Sequence, residues 1–348
     1  VEEIEKTSSA NQYAGPRRPV FFVEYDKKDI TAYLTPYLLS VTYVDKLTGE
    51  ADELELRLED RSGLWRGAWY PQKGDQLRLT MGYQGETMLD CGVFEVDEIE
   101  LEGPPDTVVL KGLAAAVSKA VRTKISKAYD GMDLDTLAKQ VADKHGLKKV
   151  GDVELIHLGR VTQNQETDLA FLSRIASQYG YLVAVRDKQL FFSQRESTMD
   201  RQSVLQVHRQ QMKRYRFTDK TSAIYRAATV SYLDPKSNKL LEFTAHDKAL
   251  AKQKHADVLK LNARAENKQQ AEVMARAALK EKNLKATEGE VTLIGDVRTI
   301  AGNSLDVLDM GVLDGQYQIT QSRHTIQRSA GYETAVTLQR LGAIQEKG

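Results

Sequence analysis

The chain has 348 residues, with 49 Lys and Arg balanced by 49 Asp and Glu, so its formal net charge is zero although 28% of positions are charged. That balance excludes a whole-molecule positive field for nucleic acid or anionic membrane, because such binding needs clustered excess Lys and Arg. With 41% apolar residues the chain can bury real cores, and its length predicts two or more domains of roughly 100 to 200 residues each.

No apolar run approaches the roughly 18 residues of a membrane helix, and the first 19 residues lack the charged-then-apolar pattern of a signal peptide. The expectation is a soluble chain that is not exported by the secretory route. Cys91 is the single cysteine, which leaves neither an intramolecular disulfide nor a Cys-based metal site. A highly charged chain without net charge has little self-repulsion, which permits assembly.

Residues 1–19 are polar, contain Pro16 and Pro19, and show no apolar period, which predicts an extended arm that orders only on a partner surface. From Val20 the pattern has period 2: Val20 to Tyr25, Leu38 to Tyr43, Leu54, Leu56 and Leu58 between acids, then Leu77, Leu79 and Met81, Val93 to Leu101 and Thr107 to Leu110. Such alternation marks half-buried antiparallel strands, and so many in about 95 residues predict a β-barrel or sandwich. Within Val93 to Leu101 the apolar set changes phase, from Phe94 and Val96 to Ile99 and Leu101. A β-bulge produces that shift of facing. The acids Asp97, Glu98, Glu100 and Glu102 are read as a solvated face, since no His, Lys or second acidic cluster accompanies them at catalytic spacing.

After Gly112 the pattern becomes α/β. A helix is predicted over Leu134 to Lys144, with Asp133 at its start and Gly146 as its stop, and another over Asp168 to Tyr179, capped by the Thr167-Asp168 pair. Strands Tyr181 to Val185 and Gln189 to Phe192 complete this unit. A polar, basic link follows (Arg209, Lys213, Arg214, Arg216), then strand signals in Tyr225 to Leu233 and Leu240 to Thr244, a helix near Asn267 to Asn283, and further strands in Val291 to Ile294, Leu305 to Val307, Gln316 to Ile319 and Thr334 to Leu338.

The two β regions match in order and residue class. Gly74-Asp75-Gln76-Leu77-Arg78-Leu79, Gly92-Val93-Phe94-Glu95-Val96 and Thr107 to Leu110 have counterparts in Gly302-Asn303-Ser304-Leu305-Asp306-Val307, Gly315-Gln316-Tyr317-Gln318-Ile319 and Thr334 to Leu338. Duplication and chance similarity of short β patterns both account for the match.

Signatures of enzyme chemistry are few. There is no Gly-x-Ser-x-Gly elbow, no His-Glu-x-x-His and no phosphate loop. The six histidines (His145, His157, His208, His246, His255, His324) are scattered, and His324, in a predicted strand, reads as structural. Glu166 and Asp168 form the best nominal acid pair, which helix capping explains more simply. Cys91 reads as a small buried residue. Trp65 and Trp69 are either exposed interface anchors or pins of a short turn to the core. The basic stretch Arg209 to Arg226 and the acidic stretch Glu50 to Asp60 read as solvated faces, with pairing between subunits as the functional alternative. No catalytic, cofactor-binding or metal residue is assigned, and interface residues are not identifiable.

Gly92 to Glu100 with Gly103-Pro104-Pro105-Asp106-Thr107 resembles the signature of the phage late control D family, the baseplate hub proteins of contractile tails. Gln163 to Ile175 through Tyr179-Gly180 is similar to a Glu-(Ser/Thr)-Asp-x-x-Phe-Leu-x-Arg segment shared by those hubs and the hub part of type VI secretion spike proteins. Asp314-Gly315-Gln316-Tyr317, with His324 and a closing strand to Arg340, is a third match, so the likeness spans about residues 20–343. The resemblance implies a mainly β, multidomain fold with α+β insertions and two related tube-like barrels. The expected division is an arm at 1–19, a first barrel at 20–113, an α/β insertion at 114–200, a second barrel at 201–244 and 287–343, a helical insertion at 245–286 and a tail at 344–348.

It further implies a structural, non-enzymatic homotrimer that adapts a sixfold tail tube to a threefold spike. Its expected partners are itself, the tube, the spike and other baseplate proteins, with no cofactor, no nucleic acid and no membrane in the resting state. The expected location is the baseplate of a virion or tailocin particle assembled in the host cytoplasm. Because the sequence stops at Gly348, the spike is expected to be a separate protein, which disfavours an effector-carrying secretion spike. A tail-associated peptidoglycan hydrolase is the alternative.

Overall fold

The computed structural model describes residues 16–115, 123–186, 188–199, 202–220, 224–234, 239–248, 250 and 256–342. Residues 1–15 of the expected arm, the tail at 344–348, the turn at 235–238 and His255 lie outside the described residues.

In chain order the strands are β1 (Pro19–Tyr25), β2 (Lys28–Asp29), β3 (Leu38–Lys46), β4 (Glu53–Glu59), β5 (Gln76–Tyr83), β6 (Leu89–Glu102), β7 (Thr107–Ala114), β8 (Lys124–Asp133), β9 (Lys148–Val150), β10 (His157–Thr167), β11 (Tyr181–Arg186), β12 (Gln189–Gln194), β13 (Leu205–His208), β14 (Arg214–Asp219), β15 (Tyr225–Asp234), β16 (Lys239–His246), β17 (Asp257–Ala265), β18 (Thr287–Ile294), β19 (Ser304–Leu308), β20 (Gly315–Gln327) and β21 (Gly331–Arg340). The helices are α1 (Thr31–Leu34), α2 (Leu134–Lys144), α3 (Asp168–Gln178), α4 (Arg195–Met199) and α5 (Lys268–Leu284). The fold is mainly β, with several sheets.

Thirteen strands form one sheet, in the order β14-β18-β21-β20-β3-β4-β7-β6-β5-β1-β2, with β19 against β20 and β13 parallel to β19. Period-2 alternation builds it: Leu54, Leu56 and Leu58 are buried while Glu53, Glu55, Arg57 and Glu59 between them stay half-exposed. Two cores lie against this sheet. One gathers Val23, Leu54, Leu56, Leu79, Phe94 and Val96, the other Val291, Leu305, Val307, Tyr317, Ile319 and Leu338. β20 joins them, because its first half pairs with β19 and its second half, Gln321 to Gln327, pairs with β3.

The two strand sets share their register. Leu77 stands opposite Phe94 and Leu79 opposite Gly92, as Leu305 stands opposite Tyr317 and Val307 opposite Gly315. Across the next strands the series Tyr43, Leu54, Gly112, Val96 corresponds to Phe217, Gly289, Leu338, Ile319. The bulge expected in β6 falls between Val96 and Glu98, and its counterpart in β20 falls between Ile319 and Gln321. In the closing strand the correspondence differs by one residue from the sequence match: Thr334 occupies the place of Val108, since Val336 corresponds to Leu110. The sets also differ at one margin, where β1 runs antiparallel to β5 but β13 runs parallel to β19.

Several expectations need correction. Tyr225 to Leu233 and Leu240 to Thr244, assigned from sequence to the second barrel, instead form a separate sheet in the order β16-β15-β17, and α5 packs on it. The basic link is in part a strand, β14, which pairs with β18. The strands β8, β10 and β17 had no counterpart in the sequence reading. A third core unites the two segments inserted into the large sheet: Leu137, Phe171, Leu172 and Phe192 from one pack with Ala228, Val230, Ala271 and Met274 from the other. Gln270 Nε2 also donates to the His157 carbonyl between them.

Candidate functional site

The end of β3 is where the large sheet meets the inserted segments. Asp45 is buried there, at 1% exposure. Its Oδ1 accepts from Arg186 Nη2 of β11 at 2.7 Å and its Oδ2 accepts from Ala301 N, ahead of β19, at 2.7 Å. One carboxylate thus holds both strand sets and the first inserted segment. Asp52 lies beside it and accepts from Lys46 N at 3.0 Å and from the Tyr43 hydroxyl at 3.1 Å. Burial pushes Asp45 up to about 7, against the opposing pull of the Arg186 guanidinium, and burial likewise raises Asp52. The turn after β3 reaches the insertion by backbone, Gly49 N donating to Val183 O at 3.3 Å. A cleft of about 460 Å³ opens beside this junction, lined by residues that include Lys46, Arg174, Arg195 and Glu281. Lys46 pairs with Glu50 and Glu53, Arg174 with Glu166, and Glu281 with Lys285.

The sequence did not single out Asp45, Asp52 or Arg186. At the end of an alternating strand an Asp reads as the start of a polar turn, and its cation lies 141 residues away.

The candidates that the sequence did name fall into separate places. Glu166 clamps Arg174, accepting from Nε and Nη2 at 2.7 Å each. Asp168 turns elsewhere: it accepts from Lys144 Nζ at 2.6 Å and Gln163 Nε2 at 3.0 Å, and His145 Nε2 lies 2.7 Å from it. Neither acid caps α3 with its side chain. Thr167 does, accepting from Ala170 N at 3.3 Å. Asp168 instead ties the start of α3 to the end of α2, where the helix dipoles favour an anion and a cation respectively. Despite the burial that would raise it, these donors hold its carboxyl below the ordinary value.

His324 is fully buried in β20, within reach of the Ser322, Tyr332 and Thr334 hydroxyls and the Thr299 carbonyl. Burial pushes it down to about 4, which keeps the ring neutral. His208 pairs with Asp309 at 2.7 Å. Among the described residues no three His, Cys, Asp or Glu side chains group as metal ligands. Cys91 is buried, and burial raises its thiol well above the usual range. Of the two tryptophans, Trp65 is buried as a pin to the core would be, whereas Trp69 is 39% exposed beside Tyr70, and each of the two indoles meets Tyr37 edge-on. The acids of β6 are solvated as expected, with Glu98 and Glu100 facing Lys111 and Glu102 bonding Arg57.

The family model for the phage tail baseplate hub (GPD) matches residues 94–330 of this chain. A probable baseplate hub protein of Escherichia phage 186 is 28% identical over 247 residues, which is 69% of this chain and 63% of that relative, so the chain spans less than two thirds of the relative's length. A tail protein from Neisseria meningitidis MC58 shares the fold with a TM-score of 0.69 at 14% identity, covering 94% of this chain and 98% of its own. An E. coli type VI secretion component, described as structurally similar to the T4 bacteriophage tail proteins gp27 and gp5, aligns with a TM-score of 0.54 at 12% identity, over 88% of this chain and 74% of its own. A chain of mainly β structure, with buried acids engaged as structural clasps and a family match over more than half its length, belongs to the phage tail baseplate hub family.

Proposed function

We propose that the chain acts as a homotrimeric hub of a contractile tail, adapting a sixfold tail tube to a threefold spike without catalysing a reaction. The observation that carries this reading is the shared register of the two strand sets, down to the matching bulges at Val96/Glu98 and Ile319/Gln321. Three copies of a chain with two such sets present six similar elements around one axis. The mechanism is then geometric. The proposed units are the first strand set at 20–113, the inserted segment at 114–200 and the second strand set from 201, with its own insertion beginning near Tyr225. The tube, the spike and neighbouring baseplate proteins are the proposed partners, and no cofactor is required.

Native mass measurement and imaging of the purified chain with tube and spike proteins test the reading. Threefold particles that bind both partners are expected, and a stable monomer that joins neither would overturn it. A zymogram checks the absence of hydrolysis: clearing of peptidoglycan that is lost on substituting an acidic residue would refute the non-enzymatic part.

A further inference from the structure

The face of the large sheet turned away from its cores is polarised in charge. At one end, Glu98, Glu100 and Glu102 on β6 lie beside Lys111 on β7, with Glu55 and Arg57 on β4 in the next strand. Lys111 Nζ is 2.6 Å from Glu100 Oε1 and 3.4 Å from Glu98 Oε2, and Arg57 bonds Glu102. Four acids therefore share two cations, and Glu55 makes no ion pair among the described residues. At the other end, Arg214 and Arg216 project from β14, the margin of the sheet, and Arg323 projects from β20. All three are exposed and none makes an ion pair among the described residues. The acids nearby are Glu290 opposite Arg216, Glu288 paired with Lys220 and Glu333 paired with Lys213, so cations remain in excess.

From β6 to β14 the sheet order runs through eight strands. Seven steps of about 4.8 Å put the patches roughly 34 Å apart along the sheet, and the right-handed twist between neighbouring strands turns them to different directions. Among the described residues no ion pair joins the two patches within one chain.

We propose that these two patches meet between copies of this chain: the glutamate ladder of β6 docks against the Arg214–Arg216 margin of a second copy, head to tail. A surface that carries both complementary halves at different angles suits a heterologous contact, and such contacts close into rings. A second copy is favoured over another protein because both halves of the match lie on one chain. The inference rests on the homotrimer reading and names the contact through which that trimer would form.

The test uses the full chain and measures mass against concentration at low and raised salt. Arg214→Glu with Arg216→Glu, and separately Glu98→Lys with Glu100→Lys and Glu102→Lys, are each expected to weaken self-association by at least about tenfold, because like charges then face one another. Mixing the two variants should restore contacts between unlike copies, seen as mixed pairs and not as closed trimers, because three copies cannot alternate around one ring. Circular dichroism checks that each variant folds, and if the Lys variant does not, the exposed Arg214 and Arg216 substitutions and the salt dependence decide. If the unaltered chain forms a trimer that both variants and salt leave unchanged, this contact is refuted while the homotrimer stands. If the unaltered chain stays monomeric at every concentration, both fail.

Discussion

Arg186 Nη2 donates to Asp45 Oδ1 at 2.7 Å across 141 positions of sequence, and Asp45 is the buried partner of the two. Removing the cation takes away the pull that opposes burial, so the buried Asp45 carboxyl either stays charged without a partner or takes up a proton. Arg186→Met is expected to cost about 3 kcal/mol, the lower end for a broken buried pair because Arg186 is itself partly exposed. Arg186→Met combined with Asp45→Asn should cost less than the sum of the two single changes. Urea denaturation of the four proteins measures both.

The buried acid and the buried histidine oppose each other in pH. Asp45 rises from 3.8 to about 7 on folding, so its contribution to stability is present at low pH and is lost as pH rises through that interval. His324 falls from 6.5 to about 4, so its contribution is present above 6.5 and is lost as pH falls toward 4. The two slopes offset one another where the intervals overlap. Asp45→Asn should therefore make stability climb more steeply with pH across that overlap than in the unaltered chain, read from denaturation midpoints. Histidine resonances should show His324 still neutral at about pH 5, where an ordinary imidazole is charged.

Thr167 and Asp168 are adjacent but support α3 differently. Thr167→Ala removes one cap and is expected to cost about 1 kcal/mol. Asp168→Ala removes the acceptor of Lys144 and Gln163 and the partner of His145, and about 2–3 kcal/mol is expected, chiefly from the buried Gln163 amide and the His145 ring left without their partner. Thermal unfolding ranks the pair, and equal losses would count against this assignment.

Gly289 lies opposite Phe217, and a Cβ placed there would sit 2.5 Å from the Phe217 ring carbon Cε1. The ring thus fills the space that a side chain would need. Gly289→Ala is expected to push Phe217 off its seat at a cost of about 1–3 kcal/mol. A lowered melting temperature with increased binding of a hydrophobic dye would show it.

Where structure follows from neighbours along the chain, the sequence determined it. The helix of Leu134 to Lys144 begins at Asp133, whose carboxylate accepts from Thr136 N, and the chain leaves it through Gly146 at a φ of +64°. Caps and stops of this kind act within a few residues. The bulge after Val96 was legible for the same reason, since a change of phase is written in the residues that change. The paired order of Gly92 and Gly315 with their aromatics also survived into matched register. Strand alternation, however, names a face and not a partner. Tyr225 to His246 alternates like the large sheet yet pairs with β17, because α5 and the first inserted segment offer it a common core. The long second half of β20 was equally unreadable, as its pairing to β3 crosses most of the chain. Asp45 marks the limit most sharply. Its charge and its strand were visible in sequence, but only the tertiary structure brought Arg186 and Ala301 to it, and only burial turned an ordinary aspartate into the clasp of the junction.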